Sequence, residues 1–194
     1  MITNTIKAAA RRFAESIARG IARTGLTPNA LTCIALLLNG VAAVVISTGN
    51  QVVGGILVML FGAMDTLDGA LARVTGRSTK FGAFLDSTLD RYSEAVVFFG
   101  LLVLFSLRQD TQGTLLVYAV VVGSVMVSYT RARAEGLGLK CEVGLLPRPE
   151  RIILLGLGLI FDQVTLVLWI LAVLTNVTAV QRIVHVWRVT EGNR

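Results

Sequence analysis

Four aspartates in two short stretches have the types and spacing to work together: Asp65 and Asp68, followed by Gly69, Ala72 and Arg73, then Gly82, Asp86 and Asp90. Asp65 and Asp68 are three residues apart, Asp86 and Asp90 four. Each spacing puts two side chains on one face of a helix. A short turn between the helices predicts antiparallel neighbours whose four carboxylates converge. An acid at the centre of a membrane helix costs roughly 2.5–3.5 kcal/mol, less near the interface, and four together repel. Divalent cations offset both penalties. An all-oxygen donor set without His or Cys suits a hard ion, Mg²⁺ or Mn²⁺ in its place. Two such ions can grip a diphosphate and stabilise the attacking and leaving oxygens of an in-line displacement. One such acid would serve equally well as a solvated helix end; four, with glycines between them, point to an ion site. Gly69 and Gly82 remove a side chain where a neighbouring helix or a bulky ligand could approach.

The elements that must position these acids are membrane helices. Of 194 residues, 54% are hydrophobic and 15% charged, against about 25% charged in a soluble domain. The apolar residues come in blocks of bilayer-crossing length: about 31–46, 52–64, 95–107 (beginning near Phe81), 115–129, 152–161 (beginning near Pro147 or Pro149) and 164–180. The predicted fold is therefore all-α, with six transmembrane helices. Ahead of them, Ile2, Ile6, Phe13, Ile17 and Ile21 alternate with Lys7, Arg11, Arg12, Arg19 and Arg23, the pattern of an amphipathic helix lying in the membrane interface. We divide the chain into residues 1–24, this juxtamembrane helix, and 25–194, the membrane domain. Thr27 is the expected cap where the first span begins.

Charge tests the arrangement. With the N-terminus in the cytoplasm, every basic residue of the 18 except Arg108 falls on the inner side, as the positive-inside rule requires. Both termini and the aspartates then lie on the cytoplasmic side of the cell membrane. The formal charge of +6 and pI of about 10.0 are thereby accounted for without a nucleic-acid partner. Cys33 and Cys141 match no metal-ligand spacing and imply no disulfide.

The run Asp68-Gly69-x2-Ala72-Arg73-x8-Gly82-x3-Asp86-x3-Asp90, preceded by Asp65, resembles the complete signature of the CDP-alcohol phosphatidyltransferases, and the six-span layout agrees along the whole chain. The resemblance implies two metal ions, with Asp65 and Asp86 touching both, Asp68 one and Asp90 the other. It implies Asp90 as the general base that takes the proton from an acceptor hydroxyl, which attacks a CDP-lipid such as CDP-diacylglycerol and expels CMP. Gly69, Arg73, Thr79 and the turn Pro28, Asn29, Ala30 and Leu31 are implied to contact the donor. It also implies a homodimer.

The acceptor is read from basic clusters. Arg131 and Arg133 end the fourth span, Arg148 and Arg151 open the fifth, and Gln181 and Arg182 lie on the last. Arg131, Arg133, Arg151 and Arg182 resemble the acceptor-phosphate residues of the phosphatidylinositol phosphate synthases, while Arg148 stands at a position often acidic in the family. A guanidinium cluster suits an anionic acceptor; topology signals or anionic-lipid contacts are the plainer reading. Inositol phosphate is the expected acceptor and glycerol 3-phosphate the runner-up. Glu94, one turn beyond Asp90, is read as structural. The competing class is a divalent-metal transporter, since intramembrane acids also mark ion paths, although a transporter would spread them over several depths.

Overall fold

A computed structural model describes residues 2–192, with side chains from residue 12 onward. The side chains of Ile2, Ile6, Lys7 and Arg11, on which part of the amphipathic pattern rests, and Arg194 lie outside the described residues. Seven helices run through these residues: α1 (Ile2–Ala22), α2 (Pro28–Ser47), α3 (Gln51–Val74), α4 (Lys80–Leu107), α5 (Thr111–Gly136), α6 (Arg148–Ile160) and α7 (Val164–Glu191).

Local chemistry sets where they start. Thr27 and Thr79, both in extended backbone, accept hydrogen bonds from Ala30 N at 3.2 Å and Gly82 N at 2.9 Å, capping α2 and α4. Pro28 opens α2 at a position where a missing N–H costs nothing. Asn50 and Asp110 cap α3 and α5 in the same way.

Four helices, α2, α3, α5 and α7, are long and apolar enough to cross a membrane, which makes this a multi-pass membrane protein. The other two expected spans fall short for definable reasons. The first half of α4 carries Asp86, Asp90, Arg91 and Glu94. The 13 residues of α6 reach only about 20 Å, less than a hydrocarbon core of roughly 30 Å.

Packing order differs from chain order. α2 packs on both α3 and α4; α3 packs on α6, α6 on α7, α7 on α5, and α5 back on α4, closing a ring, with α1 outside against α3. The expectation that α3 and α4 are direct neighbours is therefore corrected: they do not pack along one another, and α2 bridges them. Close approach explains the bridge. At Gly100 of α4, an added Cβ would lie 2.8 Å from Ala43 Cα of α2, so any side chain there would push α4 away. The ring encloses Ile46, Phe98, Leu101, Leu159, Leu168 and Leu171, all fully buried.

α1 serves two surfaces. Ala14 and Ala18 are buried against Leu31, Ala70 and Leu71, while Phe13 is 70% exposed and Ile17 also projects outward. The helix thus docks through small residues and leaves a bulky apolar edge exposed.

Candidate active site

The absence of direct α3–α4 packing leaves a cleft between the two aspartate-bearing faces, and the carboxylates meet across it in two groups. Asp68, buried at 3% exposure, accepts hydrogen bonds from Thr32 Oγ1 at 2.8 Å and from Gly69 N. Asp86, from α4, lines the same cavity as Asp68. In the second group Arg148 stands between helices. Its Nη1 lies 2.8 Å from Asp65 Oδ2 and 2.7 Å from Asp90 Oδ2, and its Nη2 donates to the Asp90 carbonyl at 3.1 Å.

As the side chains stand, no three carboxylates among the described residues close on one ion-sized point. Asp65 and Asp90 both pair with the Arg148 guanidinium instead. The donor set nevertheless fits divalent ions. It is all oxygen, it spans two helices, and a cationic group already bridges two of its members.

Two cavities flank the acids, and Asp86 lines both. One, of ≈ 190 Å³, is bounded by Pro28, Asn29, Asp68, Gly69, Arg73 and Thr79, with Asp86 at its inner edge. A Cβ at Gly82 would fit tightly here, 3.2 Å from Asn29 Oδ1 and 3.0 Å from Thr79 Oγ1. The other, of ≈ 420 Å³, holds Asp65, Asp90 and Arg148 beside Gly62, Ile152 and Ile153. The first is lined by loop and helix-end residues that include Asn29, Thr32, Arg73, Ser78 and Thr79; the second carries Met59, Ile152 and Ile153 beside its acids.

Five residues expected to contact the donor thus line the first cavity. Ala30 and Leu31 do not: Ala30 N is used by the Thr27 cap, and Leu31 is buried under α1. Thr32, Arg77 and Ser78, not singled out from the sequence, also line it. Thr32 was legible in principle, one turn beyond Pro28 on the face of α2 that meets α3. Arg73, which lines this cavity, lies 4.0 Å from Glu15 of α1.

The acceptor arginines divide. Arg131 and Arg133 are exposed at the end of α5, with Arg131 paired to Glu135 at 2.7 Å. Arg151 is 2% exposed and holds Glu94 through two hydrogen bonds, 2.8 and 3.0 Å, plus one to Leu146 O. Glu94, read from the sequence as structural, is thus paired to a buried guanidinium. Arg182 is buried too, donating to Val143 O at 2.9 Å and to Val127 O, and so ties down the segment between α5 and α6. Both buried guanidiniums are occupied by protein because the ring leaves them nothing else to solvate their charge. Cys33 and Cys141 are unpaired thiols.

Known proteins match the chain along most of its length. Residues 25–190 match a family model described as CDP-alcohol phosphatidyltransferase. The chain is 39% identical over 170 residues to archaetidylinositol phosphate synthase of Pyrococcus horikoshii, covering 87% of this chain and 88% of that protein. It superimposes with a TM-score of 0.84 and 35% identity on the crystal structure of Mycobacterium tuberculosis phosphatidylinositol phosphate synthase with CDP-DAG bound, covering 91% of this chain and 94% of that one. The same TM-score, 0.84, and identity, 35%, relate it to that enzyme in complex with manganese and citrate, over 90% of this chain and 88% of the other.

Proposed function

The chain belongs to the CDP-alcohol phosphatidyltransferase family, and on that footing we propose that it transfers a phosphatidyl group from CDP-diacylglycerol, or a related CDP-lipid, to inositol phosphate. The products are phosphatidylinositol phosphate and CMP. The single observation that carries this reading is the place of Asp86. It belongs at once to the cavity lined by Asn29, Arg73, Arg77, Ser78 and Thr79, whose cations and hydroxyls suit a nucleotide diphosphate, and to the cavity that holds Asp65 and Asp90 beside Met59, Ile152 and Ile153. A CDP-lipid has the same two halves, joined at the diphosphate.

The residues divide the work. Pro28, Asn29, Gly69, Arg73 and Thr79 hold the cytidine and its phosphates, with Arg73 offsetting their charge. Ala30 and Leu31 fix that turn, one through its cap and one through the core. Asp65, Asp68, Asp86 and Asp90 would hold two Mg²⁺ ions, or Mn²⁺, supported by the manganese complex of the mycobacterial enzyme; when bound, these ions supply charge neutralisation for the diphosphate. Asp90 accepts the proton of the acceptor hydroxyl. That oxygen bonds to the lipid-bearing phosphorus, the bond from this phosphorus to the bridging oxygen breaks, and CMP leaves with the electron pair.

We read α2–α7 as six spans, the short α6 met by local thinning of the bilayer, forming a domain over 25–194, with α1, in 1–24, at the cytoplasmic interface and both termini inside. A homodimer is the expected assembly. Arg131 and Arg133 meet the acceptor phosphate at the mouth, while Arg151 and Arg182 would have to exchange protein partners to reach it.

The test is CMP release by the purified protein from CDP-diacylglycerol with inositol phosphate, glycerol 3-phosphate, inositol or serine, with the lipid product identified. Phosphatidylinositol phosphate as the main product is expected. Preference for glycerol 3-phosphate would reassign the acceptor, and divalent-metal flux in liposomes without CMP release would sink the enzyme reading. Arg133→Ala is expected to raise KM for inositol phosphate about tenfold, the scale of one charge-assisted hydrogen bond. KM for the CDP-lipid should be unchanged; a rise confined to the donor would move Arg133 to the donor site.

A further inference from the structure

Resting on the metal-site reading above, we propose that Arg148 is a displaceable internal counter-cation: it closes Asp65 and Asp90 together when no metal is bound, and divalent ions must evict it to bind.

Nothing local calls for an arginine there. Arg148 is the first residue of α6, directly after Pro147, and a cation at a helix N-terminus opposes the macrodipole. Its partners are tertiary, one carboxylate from each facing helix, at 2.8 and 2.7 Å. All three side chains are shielded, at 14–17% exposure, so without Arg148 two sequestered negative charges would face each other.

The bridge is also incomplete. Arg148 Nε is buried with no hydrogen-bond partner, a cost that the bridged rotamer carries and a released one need not. Arg151, one turn along the same helix, has carboxylate and carbonyl partners and is 2% exposed. α6 thus presents one fixed arginine and one held by the two carboxylates and a single carbonyl. The ≈ 420 Å³ cavity lined by Arg148 and Ile153 gives the released side chain somewhere to go.

A protein whose binding-competent state is a minor fraction shows an affinity reduced by that fraction. Arg148→Gln removes the competitor, so its dissociation constant for Mn²⁺, from the free-ion EPR signal in detergent, is expected to fall about tenfold or more. Arg91→Gln is the control. Arg91 Nη1 lies 4.0 Å from Asp90 Oδ2 and donates to Ser87 O, without bridging, so it removes the same charge without opening the pair. A gain in Arg91→Gln equal to that in Arg148→Gln would reduce the effect to net charge and overturn the proposal. The melting temperature of Arg148→Gln should drop without metal and rise more on Mn²⁺ addition than that of the parent; an unchanged metal response would also overturn it. Should Arg148→Gln not fold, Arg148→Lys, which keeps the charge but lacks the planar fork, is expected to tighten Mn²⁺ binding partially, and no tightening would count against the proposal. A parent protein that binds no Mn²⁺ would instead remove the metal-site reading itself, whereas a parent that binds it no more weakly than Arg148→Gln would remove only the role of Arg148.

Discussion

Asp90→Asn is expected to lower CMP release by about 10²–10⁴-fold, the range for a lost general base, while leaving CDP-lipid binding largely intact. The asymmetry follows from placement. Asp90 lines the ≈ 420 Å³ cavity and does not line the one bounded by Pro28, Asn29 and Thr79, so the amide should leave the nucleotide contacts alone. Asn is nearly isosteric and still offers Arg148 an acceptor oxygen at the position now 2.7 Å from Nη1, which keeps α4 and α6 in register. Turnover by CMP release and donor affinity by calorimetry, measured on one preparation, separate the effects. Retained turnover would remove Asp90 as the base; loss of donor affinity with turnover would make it a binding residue.

The second large effect concerns stability and clarifies what Arg151 does. Arg151→Leu leaves Glu94, 8% exposed, as an unpaired buried charge, and breaking one side of such a pair costs about 3–5 kcal/mol. A marked fall in melting temperature in detergent is expected. The double variant Arg151→Leu with Glu94→Leu should recover most of it, because it deletes both charges and fills the space with apolar groups. That double variant also tests acceptor binding apart from folding. If it folds and its KM for inositol phosphate is unchanged, Arg151 holds α6 against α4 and has no contact with acceptor phosphate. A single variant as stable as the parent would contradict the burial on which this argument stands.

Much of the site is written in short-range pattern. The spacings of Asp65, Asp68, Asp86 and Asp90 are within one helical turn, and the caps at Thr27 and Thr79 are contacts over three residues. Such features depend on local backbone geometry, so a single sequence displays them. The all-helical class and several of the spans are legible for the same reason, since apolar blocks are counted along the chain.

What the tertiary structure decided is which helix faces which. Apolar faces on α2–α7 are chemically alike, and their pairing follows from close contacts such as Gly100 against Ala43 and Gly55 against Gly156, which no periodicity announces. That choice sets α3 and α4 apart across α2 and opens the cleft. It also sends Arg148 into the aspartates and buries Arg151 and Arg182 among protein partners. From the chain alone, Arg148, Arg151 and Arg182 are similar cations near helix ends. Their fates diverge because a guanidinium's role is set by the carboxylates and carbonyls around it, and apart from Leu146 O, five residues before Arg151, those come from residues 39 to 83 positions away in the sequence.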